Sequence, residues 1–394
     1  MQSTGVYWIP LYDALEEAGM EVYLVNAKST KNLPGRKSDV QECQWLLKLH
    51  TYGLLRNSFR PPAEIRQLRA YWRLRDRHVK DGGRAIQWMQ KALTQMNLQL
   101  ANVISDLSGW TGLKIIRAIL AGERDAHKLA ALRDGRIRAS EEEIVKSLQG
   151  TWREELLFEL QQALQTYDFC QSQICECDQK LEQQLKTLPG KVVATKAEEP
   201  AAAAQARSKS RPKPKRKKAR GNAPEFGLDA ELQRITGVNV ARVDGIDVMT
   251  IQTVISEVGV DMSPWKTERH FTSWLGLCPY QDISGGKVLK TGTRRVKNRA
   301  ACAFRLAAAT LRRSQSYLGA QFRRFRARLG PAKATTAMAR KLAVIFYKMM
   351  KFGQEYVDQG AEFYEEKYRQ HEFRLLLRTA SRLGLQIQFP ATPE

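Results

Sequence analysis

Ser284 stands between Ile283 and two glycines, Gly285 and Gly286, and the residues that follow supply Lys287, Lys290, Arg294, Arg295, Lys297 and Arg299. Glycine has no Cβ, so a second backbone can come close and positive φ is open, as a serine presented to a phosphodiester requires. A hydroxyl so placed among cations is a place to hold a phosphate. Ser-Gly-Gly between apolar runs is also ordinary hairpin-turn chemistry, and that reading stands beside the first. The wider composition favours an anion. From Ile283 to Gln354 there are eighteen Lys or Arg and no Asp or Glu, whereas a solvated helix face usually mixes signs to limit self-repulsion. Nucleic acid is the implied partner, with Gly285, Gly286, Lys287, Lys290, Arg294, Arg295, Lys297 and Arg299 as its contacts.

A second pair of groups lies near the start. Asp39 and Glu42 are three apart at the opening of a helical pattern, so both carboxylates fall on one face and could share a divalent cation. Acids in a first helical turn also complement the macrodipole behind a Ser38 N-cap. The six cysteines are too sparse in 394 residues for a disulfide framework, and the five histidines are scattered, so a zinc site is not expected.

The elements that must position these groups follow from patterning. The length allows two or three domains, 43% hydrophobic content is enough for real cores, and a net charge of +23 favours a polyanion. No apolar run is long enough to span a bilayer and no signal pattern opens the chain, so a cytoplasmic location is expected. Residues 1–26 read as an amphipathic helix, already begun at the first residues, followed by a buried strand from Met20 to Asn26. A long basic helix covers Ile65 to Leu100, with Trp72 and Trp88 as core. From Ser140 to Leu188 a recurring stripe (Leu156, Leu160, Leu164, Leu181, Leu185) reads as a coiled coil or helical hairpin, hence a self-association element; packing within its own domain is the alternative. Residues 189–226 form a basic linker, in which 207–220 either grips nucleic acid without reading sequence or acts as a spacer. Residues 232–259 resemble a helix-hairpin-helix that bares helix-start N–H groups to a phosphate, with Asp247 where a second glycine is expected. Further helices are expected around 300–311, 332–352 and 362–383.

Five motifs in order carry a family resemblance: Ser3-Thr-Gly-Val-Tyr-Trp, Val25-Asn-Ala, Gly35-Arg-Lys-Ser-Asp39-Val-Gln-Glu42, Asp106-Leu-Ser-Gly-Trp-Thr-Gly112, and Gly276-Leu-Cys-Pro followed by Ile283-Ser-Gly-Gly-Lys287. Together they resemble the insertion-sequence transposases of the DEDD class, which include the Piv-type DNA invertases and the bridge-RNA-guided recombinases. The resemblance implies an RNase H-type, RuvC-like domain holding Mg²⁺ through four acids and a C-terminal domain with a nucleophilic serine. By position Ser284 matches the serine, Asp39 the third acid and Glu42 the fourth, usually Asp. Gln2 stands where the second acid, usually Glu, is expected. The first Asp belongs on an opening strand, so the N-terminal domain is expected to be incomplete.

The fold expected is an α/β (partial RNase H/RuvC-like) N-terminal domain over 1–107, a helical coiled-coil region over 108–188 and the linker over 189–226. A mainly α C-terminal part with the helix-hairpin-helix-like element then comprises a serine transposase domain over 227–320 and closing helices over 321–394. The activity implied is DNA strand cleavage and rejoining, with Ser284, Asp39 and Glu42 catalytic and Mg²⁺ bound by the two acids. DNA is the partner, with a guide RNA from the same element and a homo-oligomer, dimer or tetramer, also implied. Two other readings compete: a non-catalytic nucleic-acid-binding remnant, and a metal-dependent nuclease in which Ser284 is only a turn residue.

Overall fold

A computed structural model of the chain describes residues 1–3, 5–30, 38–191, 222–294 and 296–385. Arg295 and nearly all of the basic linker, including 207–220, lie outside these. The described residues are mostly helical: α1 (Trp8–Glu17), α2 (Ala27–Thr30), α3 (Asp39–Thr51), α4 (Ala63–Gln95), α5 (Leu100–Val103), α6 (Trp110–Leu120), α7 (Ala126–Ala130), α8 (Glu141–Ser147), α9 (Glu154–Thr187), α10 (Leu228–Thr236), α11 (Val248–Val258), α12 (Glu268–Trp274), α13 (Arg299–Thr310), α14 (Tyr317–Leu329), α15 (Pro331–Phe352) and α16 (Gly360–Arg382). Strands β1 (Pro279–Ser284) and β2 (Lys287–Thr293) form the one sheet among them, a two-stranded antiparallel hairpin. The chain divides into two compact units, Met1–Pro62 and Ala63–Glu394.

The first unit is arranged around Leu24 and Val25, 5% and 2% exposed. Residues 1–3 run parallel to them: the Val25 N–H donates to Met1 O at 2.9 Å and the Ser3 N–H to Val25 O at 3.0 Å. On the opposite side Leu24 O accepts from the Ser58 N–H at 2.7 Å, and the Leu24 N–H donates to Asn57 Oδ1 at 3.0 Å. Two expectations change here. The opening residues are extended and do not sit at a helix mouth; Gly5, at φ +58°, turns the chain before α1 begins at Trp8. Met20–Asn26 forms no strand, only a parallel bridge between Gln2 and Val25, because each neighbour offers two or three residues and a ladder needs more. Arg60 fastens α1 to the end of this unit: its buried guanidinium donates to Asp13 and Glu16 and lies 3.9 Å from the Tyr12 ring.

In the second unit α4 and α9 pair antiparallel over their length. Gln184 Nε2 donates to Glu64 O at 3.3 Å at one end, Arg75 pairs with Asp178 further along, and a Cβ on Gly82 would lie 3.5 Å from Cys170 Cβ. The α9 stripe is buried along this seam, Leu160 and Leu185 completely. Of the readings offered for this stripe, the structure has the helical hairpin, with α4 of the same chain as its complement. At the far end α6 and α8 close an apolar core with Met89, Ile116 and Ile144 fully buried. Trp72 lies in the core as expected, but Trp88 is 53% exposed.

The basic face of α4 is also used internally. Arg73 makes two hydrogen bonds to the Glu257 carboxylate, at 2.7 and 2.9 Å, and Trp72 Nε1 donates to Thr253 Oγ1 at 3.1 Å. Arg69 donates to Ser256 O and Glu257 O, satisfying carbonyls at the end of α11. Burial lowers the Arg69 pKa, partly offset by Glu257. Arg75 adds a bond to Asn222 O, and Lys191 N–H donates to Arg234 O, so both ends of the expected linker are anchored.

Beyond it, an aromatic core forms where Phe271, Phe304 and Phe346 meet at ring-centroid distances of 5.7 and 6.4 Å. Tyr347 belongs to it and donates its hydroxyl to Trp265 O at 2.7 Å. This core carries the hairpin.

Candidate nucleic-acid interface

The hairpin is latched at its base and free at its tip. Gly276 sits at φ +69°, and a Cβ there would come within 2.8 Å of Val296 Cγ2 and 3.2 Å of Arg294 O, so the two ends of the hairpin are in close contact. Leu275 and Leu277 beside it are 0% and 1% exposed and root it in the core. Only glycine meets both demands, which gives Gly276-Leu-Cys-Pro a packing reason.

At the tip, Ser284 is paired with Lys287 across a two-residue loop whose glycines both take left-handed φ, +54° and +75°. Both central residues at positive φ match a type I′ turn, whose twist suits a hairpin. Ser284 lies at the end of β1 with its side chain exposed, and its hydroxyl makes no hydrogen bond among the described residues. Directly paired residues of an antiparallel ladder share a face, so Lys287 faces with Ser284, and Asp282 with Lys290 after a bulge at Asp282/Ile283. Ile283, Val288 and Leu289 are 51–67% exposed, giving the tip an apolar side as well.

The expected cation ring does not assemble. Lys287 and Lys290 share the hairpin with Ser284, but Arg294 follows β2 at the opposite end, on the order of 20 Å along the strand at ~3.3 Å per residue. There its guanidinium donates to Ser273 O and, at 3.1 Å, to Ser273 Oγ. Arg299 forms an ion pair with Asp76 of α4 at 3.2 Å. Lys297 is exposed beside them, and Arg295 lies outside the described residues. Further along the acid-free run, Arg312, Arg313, Arg328 and Lys333 are exposed without an acidic partner among the described residues. Burial, and after it the charges of Lys348 and Lys367, hold Lys341 below the usual lysine range.

The helix-hairpin-helix reading is corrected by packing. Helix, connection and helix are present as α10, 237–247 and α11, but Gly245, at φ +88°, faces inward; a Cβ there would lie 2.9 Å from Ala307 O and Leu311 Cδ2. At the start of α11 the Asp247 carboxylate accepts from the Thr250 N–H at 2.9 Å. A carboxylate already occupies the place a phosphate would take.

In the first unit Ser38 caps α3 and forms a capping box with Gln41, leaving Asp39 exposed and Glu42 partly exposed in the first turn. Gln2 donates its amide to Thr30 Oγ1 at 2.6 Å, and Trp45 Nε1 donates to Thr30 O at 3.1 Å. Among the described residues no group of three or more His, Cys, Asp or Glu could hold a metal ion. The preceding segment does not complete the pair: residues 31–37 contain no acid in sequence, and the neutral Gln2 is committed to Thr30. Sequence reasoning missed the Asp106–Gly112 turn as a built feature. Asp106 Oδ1 accepts from the Ser108 N–H and Oγ, and a Cβ on Gly112 would overlap Leu107 O at 2.2 Å, so this motif serves to start α6.

Comparison with known families bears on both regions. Residues 1–98 match the DEDD transposase domain of the IS110 type, and residues 238–323 match a domain described as Transposase IS116/IS110/IS902 family. The second match contains the hairpin, Gly245 and the first half of α14; the first contains Gln2, α3 and all of α4. No curated protein matches the chain.

Proposed function

We propose that this chain, which carries two IS110-family transposase domains, is a DNA transposase that breaks and rejoins phosphodiesters through Ser284. The observation that supports this best is Ser284 at an exposed hairpin tip, beside two left-handed glycines and opposite Lys287. A duplex backbone can approach such a tip without meeting a Cβ. In the reaction the Ser284 Oγ–P bond forms as one P–O bond to deoxyribose breaks, and the hydroxyl proton passes to the departing oxygen. The phosphate ester is conserved, so attack by a second deoxyribose oxygen rejoins strands without an external energy source. Lys287 and Lys290 offset charge on the phosphate oxygens. Exposed cations from Lys297 to Lys333 carry the flanking DNA, and an RNA from the same element would meet the same surface.

The DEDD family implies a divalent metal, and Asp39 and Glu42 are the residues of this chain that would hold it. Two acids on one helical turn, Asp39 exposed and Glu42 partly so, with neutral Gln2 tied to Thr30, do not make the donor set that two-metal phosphoryl transfer needs. No step above passes through a metal, and the nuclease reading built on these two acids loses its support. The non-catalytic reading is favoured by one observation, that no base contacts Ser284 among the described residues.

Ser284→Ala separates the readings. Strand exchange on donor and target DNA is expected to disappear while DNA affinity stays unchanged, because only a hydroxyl is removed. Exchange at the wild-type rate would overturn the nucleophile, and absence of exchange by the wild type under all conditions would favour the binding-only reading.

A further inference from the structure

The second half of α4 turns one side to solvent. Arg77, Lys80, Arg84 and Lys91 are exposed there, and Trp88 stands among them. At 100° per residue these five fall within roughly 80° of the helix circumference. Gly82, Met89 and Leu93, which are buried, lie on the opposite side. From Gly82 to Ser105 the chain has no Asp or Glu. Asp76 and Asp81 flank the stripe and pair with Lys80 and Arg84 at 2.6 and 2.9 Å, whereas Arg77 and Lys91 have no ion pair among the described residues.

Trp88 is what the internal packing leaves unused. Among the described residues no ring or cation lies against it, although an indole gains much from being covered. It is the one large apolar side chain exposed over 77–95, too little for an apolar protein partner or a membrane. Arg84 and Lys91, four residues before and three after, share its side of the helix. Cations that track a phosphate backbone, with an aromatic face to receive a base, are the makings of a single-strand site. Duplex bases are already stacked on each other and offer no face to such a ring. The stripe begins at the foot of the hairpin: Asp76 accepts from Lys80 and, at 3.2 Å, from Arg299 at the start of α13.

We infer that an unpaired DNA strand runs along this side of α4, with phosphates on Arg77, Lys80, Arg84 and Lys91 and one base stacked on Trp88. Exchange of strands unpairs DNA, and the junction at Asp76 and Arg299 leads from the hairpin foot onto the stripe. From Arg77 to Lys91 the track is ~21 Å long at ~1.5 Å per residue, room for more than one nucleotide. The inference rests on the DNA partner proposed above and makes no use of the Ser284 hydroxyl.

The test is binding of a short oligothymidine, and of a duplex of equal length, by the full 394-residue protein, read by fluorescence anisotropy over a range of salt. Trp88→Ala should weaken oligothymidine binding about tenfold, because a stacked base is lost. The salt slope and the duplex affinity should not change, and Trp88→Phe should recover most of the loss. Arg77→Gln with Lys91→Gln should instead lower the slope of log affinity against log salt by about 1.4, two single-strand phosphates' worth. An oligonucleotide carrying 5-iododeoxyuridine should crosslink to Trp88, with circular dichroism showing every variant as helical as the wild type. Oligothymidine binding unchanged in Trp88→Ala, an equal loss on duplex, or a loss confined to oligouridine or to anionic vesicles would overturn the inference. Where the wild type still exchanges strands, any of these removes the single-strand track and leaves the chemistry at Ser284 standing.

Discussion

Gly285 and Gly286 hold the Ser284 turn at φ values that β-branched side chains rarely adopt, so Gly286→Val should cost on the order of 1–2 kcal/mol, confined to the hairpin. Loss of amide protection across 279–293 with an unchanged melting temperature is the expected result; a fall in global stability would mean that the tip is packed elsewhere. Gly276 behaves differently, because its substitution meets Val296 at the latch. The turn itself was legible, since a Gly-Gly pair between apolar runs selects a two-residue loop. Its cations were not. Counting Lys and Arg near Ser284 says nothing of strand register, which sends Arg294 to the other end of β2, nor of Asp76, which takes Arg299 from 223 positions away in sequence.

Elements show the same division between pattern and partner. The leucine stripe of α9 was readable at helical spacing, yet periodicity cannot say whether its complement lies in the same chain, and α4 supplied it. The glycine turn before α11 was likewise readable, while its inward direction depends on Ala307, sixty residues on. Arg75 and Asp178, with side chains 3% and 11% exposed, hold the middle of the α4–α9 pair. Asp178→Ala leaves a buried guanidinium with only the Asn222 carbonyl, and should cost about 3–5 kcal/mol in urea unfolding. A loss under ~1 kcal/mol would mean that water reaches Arg75 and that the pair is a surface one.

For the whole molecule, the proposed DNA binding by a chain of charge +23 should depend steeply on salt, and the hairpin lysines are proposed to contribute to it. Lys287→Gln with Lys290→Gln should reduce the slope of log affinity against log salt by about 2, equally on unrelated sequences. An unchanged slope would remove the hairpin from the phosphate contacts. Among the described residues the α/β character foreseen for the N-terminus is the pairing of residues 1–3 with Val25, and a sheet, being a long-range object, was not to be read from the local pattern of Met20 to Asn26. The central claim is covalent chemistry at Ser284, and the most direct measurement is mass spectrometry of the peptide bearing Ser284 after reaction with nicked or mismatched target DNA, rapid denaturation and nuclease digestion. The account predicts a nucleotide phosphate esterified to Ser284 Oγ and absent from Ser284→Ala. Strand-exchanged DNA formed without any such adduct, or an adduct on another residue, would contradict it.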